Sequence, residues 1–488
     1  MGLKLGPIVG EVTHSSAKIW FRTDAEGRHT CHVFTDSTPP TEVPGSPWEV
    51  VISRQAGHAA TVQVALPDAD QVYYYDIRGP GGSTILPGGR LAFKNAPAPG
   101  TSAGFTLAFV SCHKPFEYDE AQRFLMWDQM SAVFPAKNVR FLLMIGDQVY
   151  ADRAYEKASQ GEPAVEAYRD VYQEYWKHES VMKILGRYPT YMIWDDHEIR
   201  DGWGSGEDDH KMAPQKIFTV ARQVYREFQH SHNPMSFGPE AQHYAFEFGQ
   251  AGFLVLDLRG HRNLSRSTDE RPLLGTKQWD DITEWLTKKA QNYRVLFIVC
   301  SVPMIYIPLT AADDLGRFFG SPRDHWSYEK NRPEWRDLVG LLFDVLNKRV
   351  EENGNPQKII ILGGNVHEGT VAEIQSYSPR HKGRRDVIYQ FTSSPIANRP
   401  VSWQRLYGLY GSNIEFGDTF EYTGTVRGRF PERNLGLVHV NYDSNKTKVD
   451  FELHREGEDP LHFSTDEKRT DPRPNEDLLP PWRWGGPG

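Results

Sequence analysis

Continuous apolar runs that end abruptly in polar residues are the feature that most constrains the fold. VRFLLMIGD, RVLFIVCSVP and KIIILGGNVH lack the alternation of apolar and polar residues that a strand with one face in water would show. Such runs are typical of strands that are buried on both faces. Segments with the apolar spacing of helices stand between them, including QKIFTVARQVYREFQ and QWDDITEWLTKKA. The pattern predicts a layered α/β domain with a buried sheet.

The first hundred residues follow a different pattern, without helical spacing. Turns rich in Gly, Pro and Asp separate short β-branched or aromatic runs: AKIWFR, TCHVFTD, WEVVIS, ATVQVALP and VYYYDIRG. We therefore expect a small all-β sandwich over residues 1–100, joined by the linker KNAPAPGTSAG to an α/β domain over residues 101–455. Residues 456–488 are rich in Pro, Trp and charge and are predicted to form a C-terminal tail.

Length, charge and cysteine content exclude several classes of protein. A chain of 488 residues suits two domains. Its formal net charge of −9 argues against a dedicated nucleic-acid-binding surface, and no stretch approaches the roughly 20 apolar residues of a membrane span. Three cysteines, Cys31, Cys112 and Cys300, are few for a disulfide scaffold. We expect a cytoplasmic protein, or an exported one whose signal segment is not part of this sequence. Nothing in the sequence predicts an oligomeric state.

Polar side chains that could bind metal ions stand at four predicted strand ends. In α/β folds, ligands usually bind in the loops at the carboxyl ends of the strands. Four such ends in one domain therefore predict one shared site. The candidates, in chain order, are Cys112, Asp147, Tyr150, Asp195, Asp196, His197, Asn365 and His367.

The segment ILGGNVHEGT carries two of these candidates, Asn365 and His367. Residues i and i+2 of an extended segment face the same way. If the strand continues through this segment, both side chains point into the same site. The alternative interpretation is a loop with an ordinary hydrogen-bonded histidine.

The residue types of one group favour a redox-active ion. A Cys112 thiolate, a Tyr150 phenolate and the His367 imidazole would suit Fe(III), with the Asp147 carboxylate shared with a second ion. Two of these residues also have structural alternatives. Cys112 could be a small buried apolar residue, and Tyr150 could be a packing residue.

The second group offers oxygen atoms only. Asp147, Asp196 and Asn365 would suit a hard cation such as Ca²⁺, Mg²⁺ or Mn²⁺. A carboxylate that follows a continuous apolar strand is costly to bury alone, and a cation offsets that cost. Asp147 is therefore the predicted bridge between two ions.

Several segments together resemble one known family. VSC, IGDQVYAD, WDDHE and GNVHEG are similar to motifs of the alkaline phosphatase D (PhoD-like) family, within the calcineurin-like metallophosphoesterase superfamily. The opening GPIVGEVTHSSAKIWFRTD is similar to the small N-terminal β domain of that family. The resemblance implies a four-layer αββα metallophosphoesterase domain preceded by a fibronectin-III-like sandwich.

The resemblance also implies a cofactor pair and roles for the candidate residues. It implies Fe(III) and Ca²⁺, with Mn²⁺, Mg²⁺ or Zn²⁺ as alternatives, and a metal-dependent phosphoesterase. This would be an alkaline phosphatase or phosphodiesterase that hydrolyses small phosphate mono- or diesters by attack of a metal-activated water. By the same resemblance, His197 stands where the superfamily has a catalytic histidine that is not a metal ligand. In such a mechanism His197 would protonate the leaving group or stabilise the equatorial charge, and Asp195 would orient His197, as carboxylates commonly do for functional imidazoles. The set implied for the iron is Cys112, Asp147, Tyr150 and His367, and the set near Ca²⁺ is Asp147, Asp196 and Asn365.

Three arginines are candidates for a clamp on the substrate phosphate, because guanidinium is suited to bidentate contact. They are Arg259, Arg262 and Arg200, and for each the alternative is a structural or surface ion pair.

Two departures from the family pattern keep other functions open. Asn365 stands where the family usually has Asp, and Cys112-His113-Lys114 stands where the superfamily has a D-x-H motif. These departures motivate a non-catalytic metal- or phosphate-binding protein as one alternative. A hydrolase of phosphotriesters or of another ester class is the other.

Overall fold

The computed structural model describes residues 2–267, 270–317, 321–353, 357–378, 387–400, 413–416, 421–443 and 446–466. Seven strands open the chain: β1 (Leu3–Val12), β2 (Ser16–Thr23), β3 (Gly27–Thr35), β4 (Trp48–Ile52), β5 (Ala59–Ala65), β6 (Val72–Arg78) and β7 (Leu91–Lys94). They pair antiparallel into two sheets, ordered β1-β2-β5 and β4-β3-β6-β7. The predicted all-β sandwich is confirmed.

This sandwich shares one continuous core with the layers that follow it. Trp20 of β2 and Tyr75 of β6 are fully buried. Trp20 Nε1 donates to the Glu227 carbonyl at 2.8 Å, and the Tyr75 hydroxyl donates to the Gly186 carbonyl at 2.7 Å. The polar ends of these side chains therefore fasten the sandwich to the rest of the protein. The domain boundary at residue 100 remains a prediction.

The rest of the described chain alternates strands and helices and then ends in strands. The helices are α1 (Leu125–Ala136), α2 (Asp152–Ser159), α3 (Ala164–Trp176), α4 (Glu179–Leu185), α5 (Met212–Phe228), α6 (Thr276–Lys288), α7 (Leu309–Gly316) and α8 (Arg332–Asn353). The strands are β8 (Phe105–Val110), β9 (Val139–Ile145), β10 (Thr190–Ile193), β11 (Tyr244–Phe248), β12 (Ala251–Val255), β13 (Val295–Val299), β14 (Lys358–Gly363), β15 (Gly369–Ser376), β16 (Val387–Thr392), β17 (Asn413–Phe416), β18 (Tyr422–Phe430), β19 (Asn434–Tyr442), β20 (Thr447–Arg455) and β21 (Leu461–Ser464).

These strands form two sheets that pack face to face. The first sheet has the order β10-β9-β8-β19-β20-β21, and the second has the order β11-β12-β13-β14-β16-β15-β18-β17. Ring contacts join them: Phe141 lies 5.5 Å from Phe253, and Phe391 lies 4.6 Å from Phe451, between ring centroids. Helix α1 packs against β9 of the first sheet, and α6 and α8 pack on the outer side of the second. The predicted four-layer αββα order is confirmed.

Parallel pairing brings the functional loops to one edge. Strands β8, β9 and β10 run parallel in the first sheet, and β12, β13, β14 and β16 run parallel in the second. The loops after β8, β9 and β10 meet the loop after β14, so both sheets contribute to the site. Ser111 and Gly364 are in contact there, because a Cβ added to Gly364 would lie 2.7 Å from the Ser111 side chain.

Some strands were not predicted from the sequence patterns. β1 contains Gly6 and Pro7, which weaken a strand pattern, and its pairing with β2 is irregular at these positions. The predicted tail, residues 456–488, contains β21, which pairs with β20 in the first sheet. The remainder of that tail, residues 467–488, lies outside the described residues. Among the helices that the structure describes, none has both the length and the apolar character needed to cross a membrane.

Gly146, between β9 and Asp147, tests how tightly the loops pack. It has a φ of +103°, and an added Cβ would lie 2.7 Å from the Asp195 Cβ. Gly161 has a similar φ of +93° but has open space around it. Alanine at either position must adopt a positive φ, which is unfavourable for a residue with a Cβ, but only Gly146→Ala adds a steric clash. We expect Gly146→Ala to lower the free energy of unfolding in urea by about 1–3 kcal/mol more than Gly161→Ala. Equal losses would contradict the packing described here.

Candidate active site

Sharp turns follow the strands that lead into the site. In the described ranges, eight non-glycine residues have positive φ, and four of them are predicted ligands: Cys112 (58°), Asp147 (56°), Asn365 (62°) and His367 (56°). This backbone conformation is uncommon outside glycine and tends to occur at functional sites. The turns bring the side chains of Cys112, Asp147 and His367 together where the two sheets meet.

The turn after β14 corrects one expectation. Asn365 and His367 were expected to extend the strand, but β14 ends at Gly363 and both residues are left-handed. Their backbone N–H groups donate to the hydroxyls of Ser111 at 3.3 Å and Ser394 at 3.0 Å. Hydrogen bonds to the neighbouring loops, and not the alternation of a strand, therefore set the course of this segment.

Four predicted ligands form a compact group. Cys112 Sγ donates to Asp147 Oδ2 at 3.2 Å, and Tyr150 Oη donates to the same oxygen at 3.4 Å. Tyr150 Oη also lies 3.4 Å from His367 Nε2. Ligand atoms of Cys112, Asp147 and His367 all lie within 4.8 Å of one another. The side chains proposed for the iron are thus brought together from three separate loops.

A second group shares Asp147. Ligand atoms of Asp147, Asp196 and His197 also lie within 4.8 Å of one another. Asp196 Oδ2 accepts a hydrogen bond from the Gly202 backbone at 2.6 Å. Asn365 lies two residues before His367 and is only partly buried. Asp147 therefore belongs to both groups, and its role as a bridge between two ions stays a prediction, as does the place of Asn365 in the second group.

The electrostatics of the site fit a bound cation. Asp147 is fully buried, and burial, followed by the neighbouring Asp196 carboxylate, raises its pKa well above the usual range. Burial also raises the pKa values of Cys112 and Tyr150 well above their usual range. Burial lowers the pKa of His367 to about 4, so its ring is neutral and keeps a lone pair. Bound cations would reverse these penalties and favour the deprotonated ligands.

His197 has a carboxylate partner that the sequence did not reveal. His197 Nδ1 lies 2.9 Å from Asp152 Oδ2, and its Nε2 lies 3.8 Å from Asp201 Oδ1. Burial would lower the pKa of His197, but the carboxylates around it, Asp196 first, raise it to about 10. Asp152 begins α2, only five residues after Asp147, and this short spacing was the available signal.

Asp195, expected to orient His197, has other partners. Its two oxygens accept from Arg259 Nε at 2.6 Å and Arg259 Nη2 at 3.1 Å. The Ser301 hydroxyl donates to it at 2.7 Å. Asp195 therefore anchors Arg259, and the contact with the imidazole of His197 comes from Asp152.

The three predicted clamp arginines all have protein partners. Arg259 is fully buried and also contacts Asp196 at 3.3 Å and Asp324 at 3.2 Å. Arg262 is buried and lies 3.4 Å from Asp324. Arg200 is paired with Asp209. These contacts match the structural alternative for each arginine, because the guanidinium groups are held by carboxylates.

Asn398 is a further site residue that the sequence patterns missed. It is buried, and its Nδ2 donates to Tyr150 Oη at 2.8 Å and lies 3.2 Å from His367 Nε2. It follows β16, which pairs with β14 in parallel. The strand-end argument, applied to β16, would have pointed to this loop.

Comparison with known proteins identifies the family. The sequence profile of the PhoD-like phosphatase family matches residues 107–451, which is most of the chain. The chain belongs to this family. It is therefore a phosphatase-type hydrolase of phosphoric esters, as the sequence predicted. No curated protein sequence is similar enough to the chain to count as a relative.

Two solved structures share the fold of this PhoD-like chain. A structure of PhoD is 15% identical, with a TM-score of 0.69, and the match covers 95% of this chain and 89% of that one. A purple acid phosphatase, PPD1 from yellow lupin (Lupinus luteus) seeds, is 13% identical, with a TM-score of 0.59. That match covers 94% of this chain and 73% of the lupin protein. These similarities confirm the metallophosphoesterase fold with an N-terminal β domain.

Glu198 ties the loops of this PhoD-like site to each other. Its carboxylate accepts hydrogen bonds from the backbone N–H groups of Asp147 (3.1 Å), Gln148 (2.7 Å) and Asp195 (2.8 Å). The Gln229 side chain donates a fourth at 3.1 Å. One buried carboxylate therefore fixes the loop after β9 against the loop after β10.

Replacing Glu198 with glutamine should loosen both loops. Glutamine puts an NH₂ group in place of one carboxylate oxygen, so some of the backbone N–H groups that now donate to Glu198 would lose their acceptor. We therefore expect the free energy of unfolding to fall by about 1–3 kcal/mol. Glu334 offers a matched control, since it is also buried and accepts from the backbone of Leu273 at 2.6 Å and Leu274 at 3.1 Å. Glu198→Gln should lose stability and phosphatase activity, whereas Glu334→Gln should lose stability alone. Equal activity losses in the two variants would argue against the role of Glu198 in holding the site.

Proposed function

We propose that the protein is a metal-dependent phosphoesterase that hydrolyses small phosphate mono- or diesters at a pair of metal ions. The observation that carries this proposal is the shared position of Asp147 in two groups of candidate ligands. The buried, ionisable character of those groups supports cations, because their charged forms are costly without them.

The ligand sets support two different ions. The thiol, phenol and imidazole of Cys112, Tyr150 and His367 favour Fe(III), together with Asp147. The oxygens of Asp147, Asp196 and Asn365 favour Ca²⁺, with Mn²⁺, Mg²⁺ or Zn²⁺ as alternatives. When bound, such a pair supplies neutralisation of phosphate oxygens and a lowered pKa of a water that can attack phosphorus.

The protein side chains do the remaining work. Asp152 accepts from His197 Nδ1, which fixes the imidazole and leaves Nε2 to handle a proton. The His197 side chain keeps 17% of its surface exposed, so a substrate oxygen can reach it. His197 would protonate the leaving oxygen as the ester bond breaks. Arg259 pairs with the carboxylates of Asp195 and Asp196, and these ion pairs fix the positions of both residues in the loop after β10.

The retained His197–Asp152 pair favours an enzyme over a non-catalytic binding protein. A protein that only held phosphate or metal would have no need of an oriented imidazole beside its ligands. A specific observation in favour of phosphotriesters or of another ester class is lacking in the described residues.

Substitutions at the pair test this mechanism with 4-nitrophenyl phosphate and bis(4-nitrophenyl) phosphate as substrates. We expect His197→Ala to lower kcat by about 10²–10⁴-fold, since it removes the proton donor. Asp152→Asn should lower kcat by about 10–100-fold, since it weakens the orientation of the ring. Bound metal should be unchanged in both variants.

The control is Asp201→Asn. The Asp201 side chain is 86% exposed, and its Oδ1 lies 3.8 Å from His197 Nε2, which is too far for a hydrogen bond. It should change kcat by less than about 3-fold. Unchanged turnover in His197→Ala would remove the proposed proton donor. Loss of a metal ion in that variant would instead make His197 a ligand.

A further inference from the structure

Two cationic side chains flank the site on the side of Tyr150. Lys114 follows Cys112 by two residues, and its Nζ lies 5.0 Å from the centroid of the Tyr150 ring. Arg399 follows Asn398, the residue that contacts both Tyr150 and His367. The Arg399 side chain is 71% exposed. We call Lys114 and Arg399 the cationic rim.

The cationic rim is gathered around one carboxylate. Lys114 Nζ lies 3.0 Å from Glu117 Oε1, and Arg399 Nε lies 3.7 Å from Glu117 Oε2. The hydrogen bond from Lys114, with the charges of Arg399 and Arg153, holds the pKa of Glu117 below its usual range. Three cations around one carboxylate leave a surplus of positive charge beside the site.

The surroundings of His197 have the opposite charge. Asp152 contacts its Nδ1, and the exposed Asp201 lies near its Nε2. The His197 and Tyr150 rings are in contact, with 4.0 Å between their centroids, so the charge changes sign across this ring pair, with acids beside His197 and the cationic rim beside Tyr150. A leaving group directed to His197 would enter the acidic side. The part of a diester that stays on phosphorus would then be free to contact the rim.

We propose that Lys114 and Arg399 bind an anionic group on the retained half of a phosphodiester. The preferred substrate would thus be a diester with a second negative charge on that half. This inference rests on the proposed function and names its substrate class. The rim acts by charge attraction, so its contribution should fall as ionic strength rises.

A pair of diesters that differ in one charge tests the inference. In 2-carboxyethyl 4-nitrophenyl phosphate and the methyl ester of its carboxylate, 4-nitrophenolate leaves and only the retained half differs. We expect kcat/KM to be roughly 5-fold higher for the carboxylate than for its methyl ester at low salt, mainly through KM. The double variant Lys114→Gln, Arg399→Gln should bring this ratio close to one, and Arg399→Glu should bring it below one.

The matched control is Arg28→Glu. Arg28 lies on β3, far along the chain from the site, and is paired with Glu49 at 3.0 Å in an exposed ion pair. This variant changes the net charge by as much as Arg399→Glu and the double variant do, and it should leave the ratio at its original value. A ratio near one in the unaltered protein, or one that survives the double variant, would overturn this inference alone. Failure to hydrolyse either diester would overturn diester hydrolysis as well, and the inference with it.

Discussion

The buried carboxylate of Glu198 is the contact on which the rest of the site depends. Backbone N–H groups at the ends of two neighbouring strands have no strand partner, and leaving them unpaired inside the protein would be costly. Glu198 accepts from Asp147, Gln148 and Asp195, and so binds both strand ends at once. Because Asp147 and His197 lie on the two loops that it joins, their separation follows from this one side chain. The left-handed turns at Cys112 and Asp147 then direct the ligand side chains into the same space.

Charge balance explains why this arrangement calls for cations. Arg259 is surrounded by Asp195, Asp196 and Asp324, so carboxylates of the protein itself balance this buried positive charge. Asp147 lies against Cys112 and Tyr150, which carry no positive charge. It shares the His197 imidazole with the carboxylates of Asp196 and Asp152. Buried ion pairs are stable only when both partners are present, and a buried carboxylate without a partner is costly. The fold therefore holds a set of candidate ligands whose charged forms bound cations would stabilise, as fits a PhoD-like phosphatase.

The sequence predicted the parts that depend on local pattern. Apolar runs that lead to Cys112, Asp147 and Asp196 predicted the buried sheets and the edge where these candidate ligands meet, because strand burial and strand ends are visible in the residue order. It failed where the outcome depends on contacts between distant segments. Asn365 and His367 leave the strand because serines from other loops hold their backbone. The partners of the site were missed for the same reason: Asp152, Asn398, and the carboxylates that hold the predicted clamp arginines. Strands β15 to β21 lack the continuous apolar runs of β9, β13 and β14, and their pairing depends on neighbouring strands in the sheets.

The metal content of the protein, purified without added metal, tests the central claim most directly. Elemental analysis should find about one iron and one further divalent ion per chain, with a tyrosinate-to-iron absorption band in the visible. Cys112→Ser should lose iron, whereas Cys31→Ser, at a buried free cysteine of the N-terminal sandwich, should retain it. Two identical divalent ions would contradict the iron assignment of Cys112 and Tyr150. No bound metal, even after reconstitution, would contradict the metal-dependent mechanism itself.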